Sequence, residues 1–407
     1  MITKNTKEYV EKKKNEGLYG ISFDIAEHPG LTLKDEIAHL GISQLQFSVK
    51  IGCSEQTISR IVNGKEPITS DMAVKLEVIF GGHPSAEFWN NMQKSYDLQY
   101  LRSEMEIQAE NDISFFEKNL KNTFSELKHY GFIPNIITRG KDSKIKAILT
   151  LKKWFGVSDL SLVFEEDNLK VAFRKYQREI KDNYAVAGWV RAGTLKTQEV
   201  FSRQESVPEY DSKKFIEKVA SLKNLSIENQ TIFLERLKKE LFECGVLIAY
   251  LPGFKNAHIG GVLKWIKGHP VIMLKTYKQR EDVFWFNLFH EIGHIVKHSK
   301  KDFFVDFKET ESETDSENDE KEKEANIFAK EMLLPSLNEI KDELNSCQTE
   351  DLDSALKSVA KINNVSVSVL AGRLCHEFYQ ASHNPLIWQR LGKYRKTIEV
   401  MGDNSDY

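Results

Sequence analysis

His290-Glu291-Ile292-Gly293-His294 is the stretch of this sequence that carries the most structural information. In a helix, residues four positions apart share a face, so both imidazoles can reach one metal ion. Glu291 projects about 100° around the helix from His290, where its carboxylate can flank the metal and take a proton from water. The spacing therefore predicts a helix that holds a zinc ion beside a general base.

The residues before this stretch predict that the helix lies in a protein core. Residues 283–289 are apolar at six of seven positions. A helix that is apolar around most of its circumference is buried. Core packing would then hold the two histidines in fixed positions, which a catalytic metal requires.

A catalytic zinc takes a third protein ligand, and the candidates are Glu322 and Glu324. An apolar stripe at positions 325, 328, 329 and 332 predicts a helix here. Glu322 lies about 70° from the centre of that stripe and Glu324 about 90° away, a slight preference for Glu322. Asn326, one turn further on, can accept the outer N–H of a zinc-bound histidine. We therefore predict Glu322 as the third ligand, with Glu324 as the alternative, and Asn326 as the partner of a ligand histidine.

Residues 42–64 have the pattern of two short helices joined by a tight turn. Ser43 and Ser54 are of the type that caps helix N-termini, and Gly52 permits the turn between the helices. This is a helix-turn-helix pattern. We expect the two helices to pack through Leu45, Val49, Ile51, Ile58, Ile61 and Val62.

The second helix of the pair leaves polar side chains facing outward, namely Glu55, Gln56, Thr57 and Arg60. Gln and Arg are suited to bidentate contacts with base edges in the major groove. Residues 1–102 nevertheless contain 12 Lys and Arg against 13 Asp and Glu, so no net basic surface favours DNA. DNA binding would need a local patch such as Lys50, Arg60 and Lys65. The alternative is a protein-interaction or dimerisation module.

The composition indicates more than one soluble domain. The chain has 407 residues, of which 41% are hydrophobic, enough for several cores. It has neither the roughly 18–20 consecutive apolar residues of a membrane span nor a secretory leader, so we expect a cytoplasmic protein without membrane contact. The four cysteines lack a Cys-x-x-Cys pair, which argues against a disulfide framework and a thiolate zinc site.

The remaining regions are read from their apolar periodicity. Amphipathic helices at 114–130 and 143–155 predict a helical middle domain, either a linker or a ligand sensor. Strands are expected at 246–250, 258–266 and 271–274, the last two joined by a turn at Lys267-Gly268. They would form a small antiparallel sheet whose edge can pair with an extended peptide. Four side chains near these segments are hydrogen-bond donors for a transition state, although each is also explained by a structural role: Tyr250, His258, Tyr277 and His298.

The two metal-site motifs together resemble the ImmA/IrrE family of zinc metallopeptidases. The likeness spans roughly residues 200–380 and includes Leu333-Leu334-Pro335 after the second motif. It implies Zn²⁺ bound by His290, His294 and Glu322, with Glu291 as the general base. Asn326 stands where gluzincin-type peptidases carry an Asp, which keeps a hydrogen-bond acceptor but removes its charge.

The amino-terminal region resembles the HigA-type antitoxins of the Xre helix-turn-helix class over about residues 20–102. The likeness implies a small helical bundle, commonly dimeric, that binds operator DNA. Glu55 departs from a DNA-contacting pattern because an acid repels phosphate. The segments that carry the likeness are His28-Pro29-Gly30, Gly41-Ile42-Ser43-Gln44, Asn63-Gly64-Lys65, Ile68-Thr69 and residues 88–98. The DNA-contacting positions that it implies are Gln44, Glu55, Gln56, Thr57 and Arg60.

We therefore predict a mainly α protein with a small antiparallel β-sheet, of the α+β class. Its expected domains are a helix-turn-helix bundle at 20–102, a helical middle domain at 103–200, a gluzincin-like metallopeptidase domain at 201–380, and a tail at 381–407. The expected function is a regulatory zinc metalloendopeptidase that cleaves a repressor-like protein and binds operator DNA, with a homodimer expected. The alternative is a HigA-like repressor or antitoxin whose peptidase-like domain senses a signal or binds a toxin.

Overall fold

The described part of the chain is helical apart from one small sheet, which confirms the α+β class. Two compact units are formed, one by residues up to 116 with 137–149, the other by 117–136 with 150–407. The predicted middle domain, 103–200, thus contributes to both units. The computed structural model describes residues 8, 26–164, 182–203, 206–298, 304–306, 320–334, 338–340, 342, 352–382 and 386–399.

The helix-turn-helix lies in the first unit, and local capping sets its boundaries. Ser43 Oγ accepts from the Gln46 amide at 3.2 Å, and Gln46 Oε1 accepts from the Ser43 amide at 2.9 Å. Gly52 ends the first helix of the motif at φ 73°, a conformation that favours glycine. Ser54 caps the second helix. The helices are α1 (Pro29–His39), α2 (Gln44–Ile51), α3 (Glu55–Val62), α4 (Ser70–Ile79) and α5 (Ala86–Asn111).

The core of this unit corrects one expectation about α2. Phe47 and Ile51 point into the core, whereas Leu45 is 54% exposed and Val49 is 75% exposed. The sequence of α2 contains two apolar stripes on opposite faces, and the larger Phe47 decides which one is buried. Leu45 and Val49 therefore do not join the two helices. The fully buried side chains in the same cluster as Phe47 are Leu33, Ile58, Ala73, Leu76 and Trp89.

The second unit contains the sheet and the remaining helices. Lys141–Phe155 begins in the first unit and ends in the second. No helix of the described part of the chain is long and apolar enough to cross a membrane. The elements are α6 (Lys121–His129), α7 (Lys141–Phe155), α8 (Asn183–Arg203), α9 (Ser212–Leu222), α10 (Gln230–Phe242), β1 (Leu247–Leu251), β2 (Gly261–Ile266), β3 (His269–Lys275), α11 (Glu281–Lys297), β4 (Phe304–Asp306), α12 (Glu320–Leu333), α13 (Leu352–Ile362), α14 (Val367–Ser382) and α15 (Leu386–Gly392).

The sheet has the strand order β1-β3-β2-β4. β2 and β3 form the predicted hairpin, which turns at Lys267 (φ 51°) and Gly268 (φ 86°). β1 pairs with β3 in parallel, Leu247 opposite Val271, so the sheet is mixed rather than wholly antiparallel as predicted. Two parallel strands need a long connection between them. Here the segment between β1 and β3 contains strand β2 and fills that role.

The two faces of the sheet bury different helices. Ile272 and Leu274 of β3 join the core cluster that includes α11. Met273 points the other way, because side chains alternate along a strand. A Cβ at Gly193 of α8 would lie 2.4 Å from Met273 Sδ, so α8 packs very closely on that second face.

Residues 395–398 form hydrogen bonds and an ion pair with the residues at the start of α11. Lys278 donates its amide proton to Ile398 O at 2.8 Å, and Ile398 donates to Gln279 O at 2.8 Å. The guanidinium of Arg395 contacts Asp282 Oδ2 through Nε at 2.9 Å and Nη2 at 2.8 Å. These contacts fix the beginning of the helix that carries the histidines.

Candidate metal centre and DNA-binding helix

The helix α11 carries His290, Glu291 and His294 on its last two turns, and all three side chains are buried. The same helix contributes Phe284, Trp285, Leu288, Phe289 and Ile292 to the core of the second unit. The apolar residues thus immobilise the polar ones. Side chains fixed by core packing lose little further freedom when they bind a ligand.

The helix α12 approaches α11 closely at Gly293. A Cβ at this position would lie 3.1 Å from Ala325 Cα and 3.2 Å from Phe328 Cδ1. Glu322 and Ala325 are buried on the same side of α12. The small residue therefore lets α12 bring the Glu322 carboxylate to the two histidines.

Three donor atoms meet between these helices. His290 Nε2 lies 3.0 Å from His294 Nε2 and 3.1 Å from Glu322 Oε2, and the distance from His294 Nε2 to Glu322 Oε2 is 3.5 Å. Ligands held at zinc distances in a tetrahedron stand about 3.3 Å apart. Within the described ranges these three residues form a group able to hold a metal ion. The donor set fits zinc.

The protonation states also suit a metal. Burial lowers the pKa of His294 to about 4, although the Glu322 carboxylate opposes that shift. Burial would raise the pKa of Glu322, but hydrogen bonds and charges of the two histidines outweigh it and hold that pKa far below its usual range. At neutral pH the site therefore holds a neutral imidazole and a carboxylate, the forms that bind metal.

Each of the two histidines also has a partner at its outer nitrogen. His290 Nδ1 lies 3.0 Å from Asn326 Oδ1, the contact predicted for this asparagine. His294 Nδ1 lies 2.9 Å from His298 Nδ1, and His298 Nε2 lies 3.0 Å from Glu324 Oε2. The two candidate acids thus take different positions, Glu322 inside the group and Glu324 against His298.

Strand β2 passes directly over Glu291. A Cβ at Gly261 would lie 2.5 Å from Glu291 Oε1 and 3.1 Å from its Cγ. Only a residue without a side chain leaves this space. We did not predict Gly261, because its contact joins two elements that sequence reasoning treats separately. Tyr250, one of the hydrogen-bond donors considered above, donates to Leu234 O at 2.8 Å within the core.

The residues predicted to contact DNA lie on α2 and α3. Glu55, Gln56 and Arg60 are exposed, and Gln44 and Thr57 are half-buried. Thr57 Oγ1 lies 2.8 Å from the capping Ser54 Oγ. The Thr57 hydroxyl is therefore engaged in part with the N-terminal cap of α3.

Arg60 also has a partner. Its Nε lies 3.0 Å from Glu66 Oε1. The guanidinium on the outward face of α3 is therefore already paired with an acid.

Two known protein families match the chain, one within each of the two compact units. Residues 33–86 match a helix-turn-helix family, and residues 243–375 match the IrrE N-terminal-like domain. The chain carries an Xre-type helix-turn-helix domain and an IrrE-like domain. The second match contains His290, His294 and Glu322, and the IrrE-like domain belongs to a metallopeptidase family.

Individual relatives and solved structures resemble the chain over about a fifth of its length. Virulence-associated protein A′ of Dichelobacter nodosus is 37% identical over 18% of this chain, and the chain spans 64% of that relative's length. The uncharacterised HTH-type transcriptional regulator YddM of Escherichia coli is 28% identical over 20% of this chain and 88% of its own. A solved addiction module antidote protein of a HigA family from Coxiella burnetii is 28% identical, covers 23% of this chain and 95% of its own, and has a TM-score of 0.18.

Proposed function

We propose that the IrrE-like domain is a zinc-dependent endopeptidase that cleaves a regulatory protein. The observation that carries this proposal is the buried group of His290, His294 and Glu322, whose donor atoms are 3.0 to 3.5 Å apart. Structural zinc sites use four protein ligands, whereas catalytic sites use three. Three donors in the described residues support a catalytic centre.

Zinc, when bound, acidifies water and polarises a carbonyl oxygen. The chain's own chemistry then lies in Glu291, whose buried carboxylate accepts the proton of the attacking water and delivers it to the leaving amine nitrogen. Gly261 leaves the space in which that carboxylate sits. Asn326 Oδ1 accepts the Nδ1 proton of His290, which leaves Nε2 unprotonated and available as a ligand.

The helix-turn-helix domain is a DNA-binding domain, and we infer that Gln44, Gln56 and Arg60 contact DNA, with Glu55 and Thr57 at the edges of the contact. By the resemblance to ImmA/IrrE proteins, the substrate is a repressor-like protein. A DNA-binding domain on the same chain would bring the peptidase near such a substrate. A homodimer through this domain is part of the same proposal.

A second candidate function is a transcriptional repressor or antitoxin whose IrrE-like domain senses a signal or binds a toxin. The exposed polar face of α3 and the likeness to an HTH-type transcriptional regulator favour it. This candidate requires no turnover, so metal content and peptidase activity distinguish the two.

The first test measures zinc per chain by inductively coupled plasma mass spectrometry. We expect one zinc in the wild type and in Glu291→Gln, and none in His290→Ala or Glu322→Ala. Glu331→Ala is the matched control, since this exposed acid lies on the same helix away from the site. Zinc-free wild type after zinc is supplied would favour the repressor.

The second test asks for turnover. A library of peptides from bacterial repressors and antitoxins is incubated with the zinc-loaded chain, and cleavage is followed by mass spectrometry. Loss of the general base should slow cleavage about 10²- to 10⁴-fold in Glu291→Gln. Equal cleavage by wild type and Glu291→Gln would contradict the proposed mechanism.

A further inference from the structure

His294 contacts His298 at its outer nitrogen, and His298 in turn contacts Glu324. His298 is the C-cap residue that follows α11, with φ −118° and ψ 171°, and its side chain is 4% exposed. Its Nδ1 lies 2.9 Å from His294 Nδ1, and its Nε2 lies 3.0 Å from Glu324 Oε2. Glu324 itself is 59% exposed. The series therefore runs from a buried ligand to a carboxylate at the surface.

One arrangement of protons satisfies the whole series when a metal is bound. His294 must leave Nε2 unprotonated for the metal, so its proton resides on Nδ1. That proton is donated to His298 Nδ1, which must then be the acceptor. The remaining proton of His298 sits on Nε2 and is donated to Glu324 Oε2. Every hydrogen bond has one donor and one acceptor, and no extra proton is needed.

His298 is not itself a member of the metal group. The three atoms that surround the candidate metal position are His290 Nε2, His294 Nε2 and Glu322 Oε2. His298 approaches His294 at Nδ1, the ring nitrogen on the opposite side from that position. The geometry suits a partner of the ligand and excludes a fourth ligand in this arrangement.

We propose that His298 and Glu324 are positioning residues that fix the tautomer and ring angle of His294. The inference rests on the metal centre proposed above. It also makes the two histidine ligands unequal, since His290 is held by a neutral amide and His294 by an imidazole backed by a carboxylate. A hydrogen bond that ends on a charged group is stronger than one between neutral groups. The bond from His298 to the Glu324 carboxylate is therefore the stronger one, and it holds the ring that orients His294.

The test measures the zinc dissociation constant of the full chain by competition with a chromogenic chelator. Loss of a partner of a ligand histidine weakens metal binding by about 10- to 100-fold, which is the change expected for His298→Ala. His298→Asn places an oxygen where Nδ1 was and should recover part of the loss. Glu324→Gln keeps an acceptor but removes the charge, and should weaken binding less than His298→Ala.

Glu331→Gln is the matched control, because it makes the same chemical change at an exposed site two turns further along α12 than Glu324. It should bind zinc as the wild type does. Absorption spectra of the Co²⁺-loaded proteins give a second readout, since the bands in the visible range report ligand geometry. We expect them to shift in His298→Ala and to remain unchanged in Glu331→Gln.

Failure of the inference and failure of the proposed function look different. A wild type that binds no zinc would overturn both. A wild type that binds zinc, with His298→Ala and Glu324→Gln within twofold of it and with unchanged Co²⁺ spectra, would overturn the positioning role alone. If His298→Ala melts far below the wild type, Glu324→Gln decides the matter, because this surface position does not affect the core.

Discussion

Gly261 lies where β2 crosses Glu291, and the absent side chain sets the position of the carboxylate. In Gly261→Ala the new Cβ would stand 2.5 Å from Glu291 Oε1, so the carboxylate must move. A displacement of about 1 Å costs on the order of 100-fold in rate. We expect peptidase activity to fall by about 10- to 100-fold while one zinc per chain is retained.

The control for this prediction is Gly392→Ala, because a Cβ at Gly392 meets no atom within 4 Å. It should leave both zinc content and activity unchanged. Full activity of Gly261→Ala would mean that Gly261 does not control the position of Glu291.

His294 makes the stability of the metal-free protein depend on pH. Burial lowers the pKa of its imidazole to about 4, whereas an unfolded histidine titrates near 6.5. The folded state therefore binds fewer protons, so this contribution to stability is complete above about pH 6.5 and is lost as the pH falls through about 4. The loss is on the order of 3 kcal/mol.

Urea unfolding of the chelator-treated protein at pH 7.5 and pH 5 tests this dependence. His294→Gln removes the titrating group, so its stability should fall less between the two pH values than that of the wild type. The same pH dependence in both would contradict the assignment to His294.

At this scale the sequence was most informative where geometry is local. A spacing of four residues brings the rings of His290 and His294 together in any helix. The offset of Asn326 from Glu322 predicted a contact with one of the two histidines, and the structure shows that this histidine is His290. The difference between Glu322 and Glu324 was small on the helical wheel. Which of the two acids reaches the histidines depends on how α12 packs on α11. That packing requires the small Gly293, and the sequence alone does not show that the two helices meet there.

At the scale of elements, Arg60 of α3, which we propose as a DNA contact, already has an acid beside it. Glu66 Oε1 lies 3.0 Å from Arg60 Nε, and both side chains are partly exposed. Such a pair contributes little to stability, but the acid repels phosphate. Glu66→Gln should tighten binding to a mixed-sequence duplex of about 30 base pairs by a few-fold and steepen the salt dependence by about one phosphate contact.

Fluorescence anisotropy at two salt concentrations measures both quantities. Asp71→Asn is the matched control, because it removes one acid from the Lys75 pair on α4 and changes the net charge by the same amount. Equal tightening in both variants would show an effect of net charge alone. Arg60→Ala should weaken binding in the wild type and in Glu66→Gln.

Element boundaries followed from capping chemistry, and element contacts did not. Ser43, Gly52 and Ser54 predicted the limits of α2 and α3 because caps and left-handed turns depend on nearby residues. The burial of α2 could not be predicted from its own sequence, which offers two apolar faces. The β2 and β3 hairpin was predictable from its turn, whereas the parallel pairing of β1 required knowledge of the sheet order.

At the scale of the whole second unit, residues 395–399 support the helix that carries His290 and His294 from a distant part of the sequence. Ile398 is fully buried and pairs with Gln279, and Arg395 pairs with Asp282 in the first turn of α11. A chain ending after Gly392 loses all of these contacts. We expect its free energy of unfolding to fall by about 3 kcal/mol or more, since burial of a large aliphatic side chain alone contributes about 2–5 kcal/mol.

Thermal unfolding and zinc content of the truncated protein measure this loss. The matched control ends after Glu399 and keeps the described pairing, so it should behave as the full chain does. Segment 393–399, which lies within the predicted tail of 381–407, has little apolar periodicity. The segment is held mainly by backbone hydrogen bonds, and these do not require a particular pattern of side chains. Equal stability of the two truncated proteins would contradict the supporting role.

The three donors of the candidate metal centre come from two helices that are separated along the chain. His290 and His294 lie on α11, and Glu322 lies on α12. A bound ion would therefore act as a cross-link that exists only in the folded state, and mass action would make the population of folded molecules depend on free zinc. At a concentration 100 times its dissociation constant, a ligand that binds only the folded state adds about 2.7 kcal/mol. The abundance of this protein in a cell would then follow zinc supply, independently of any catalysis.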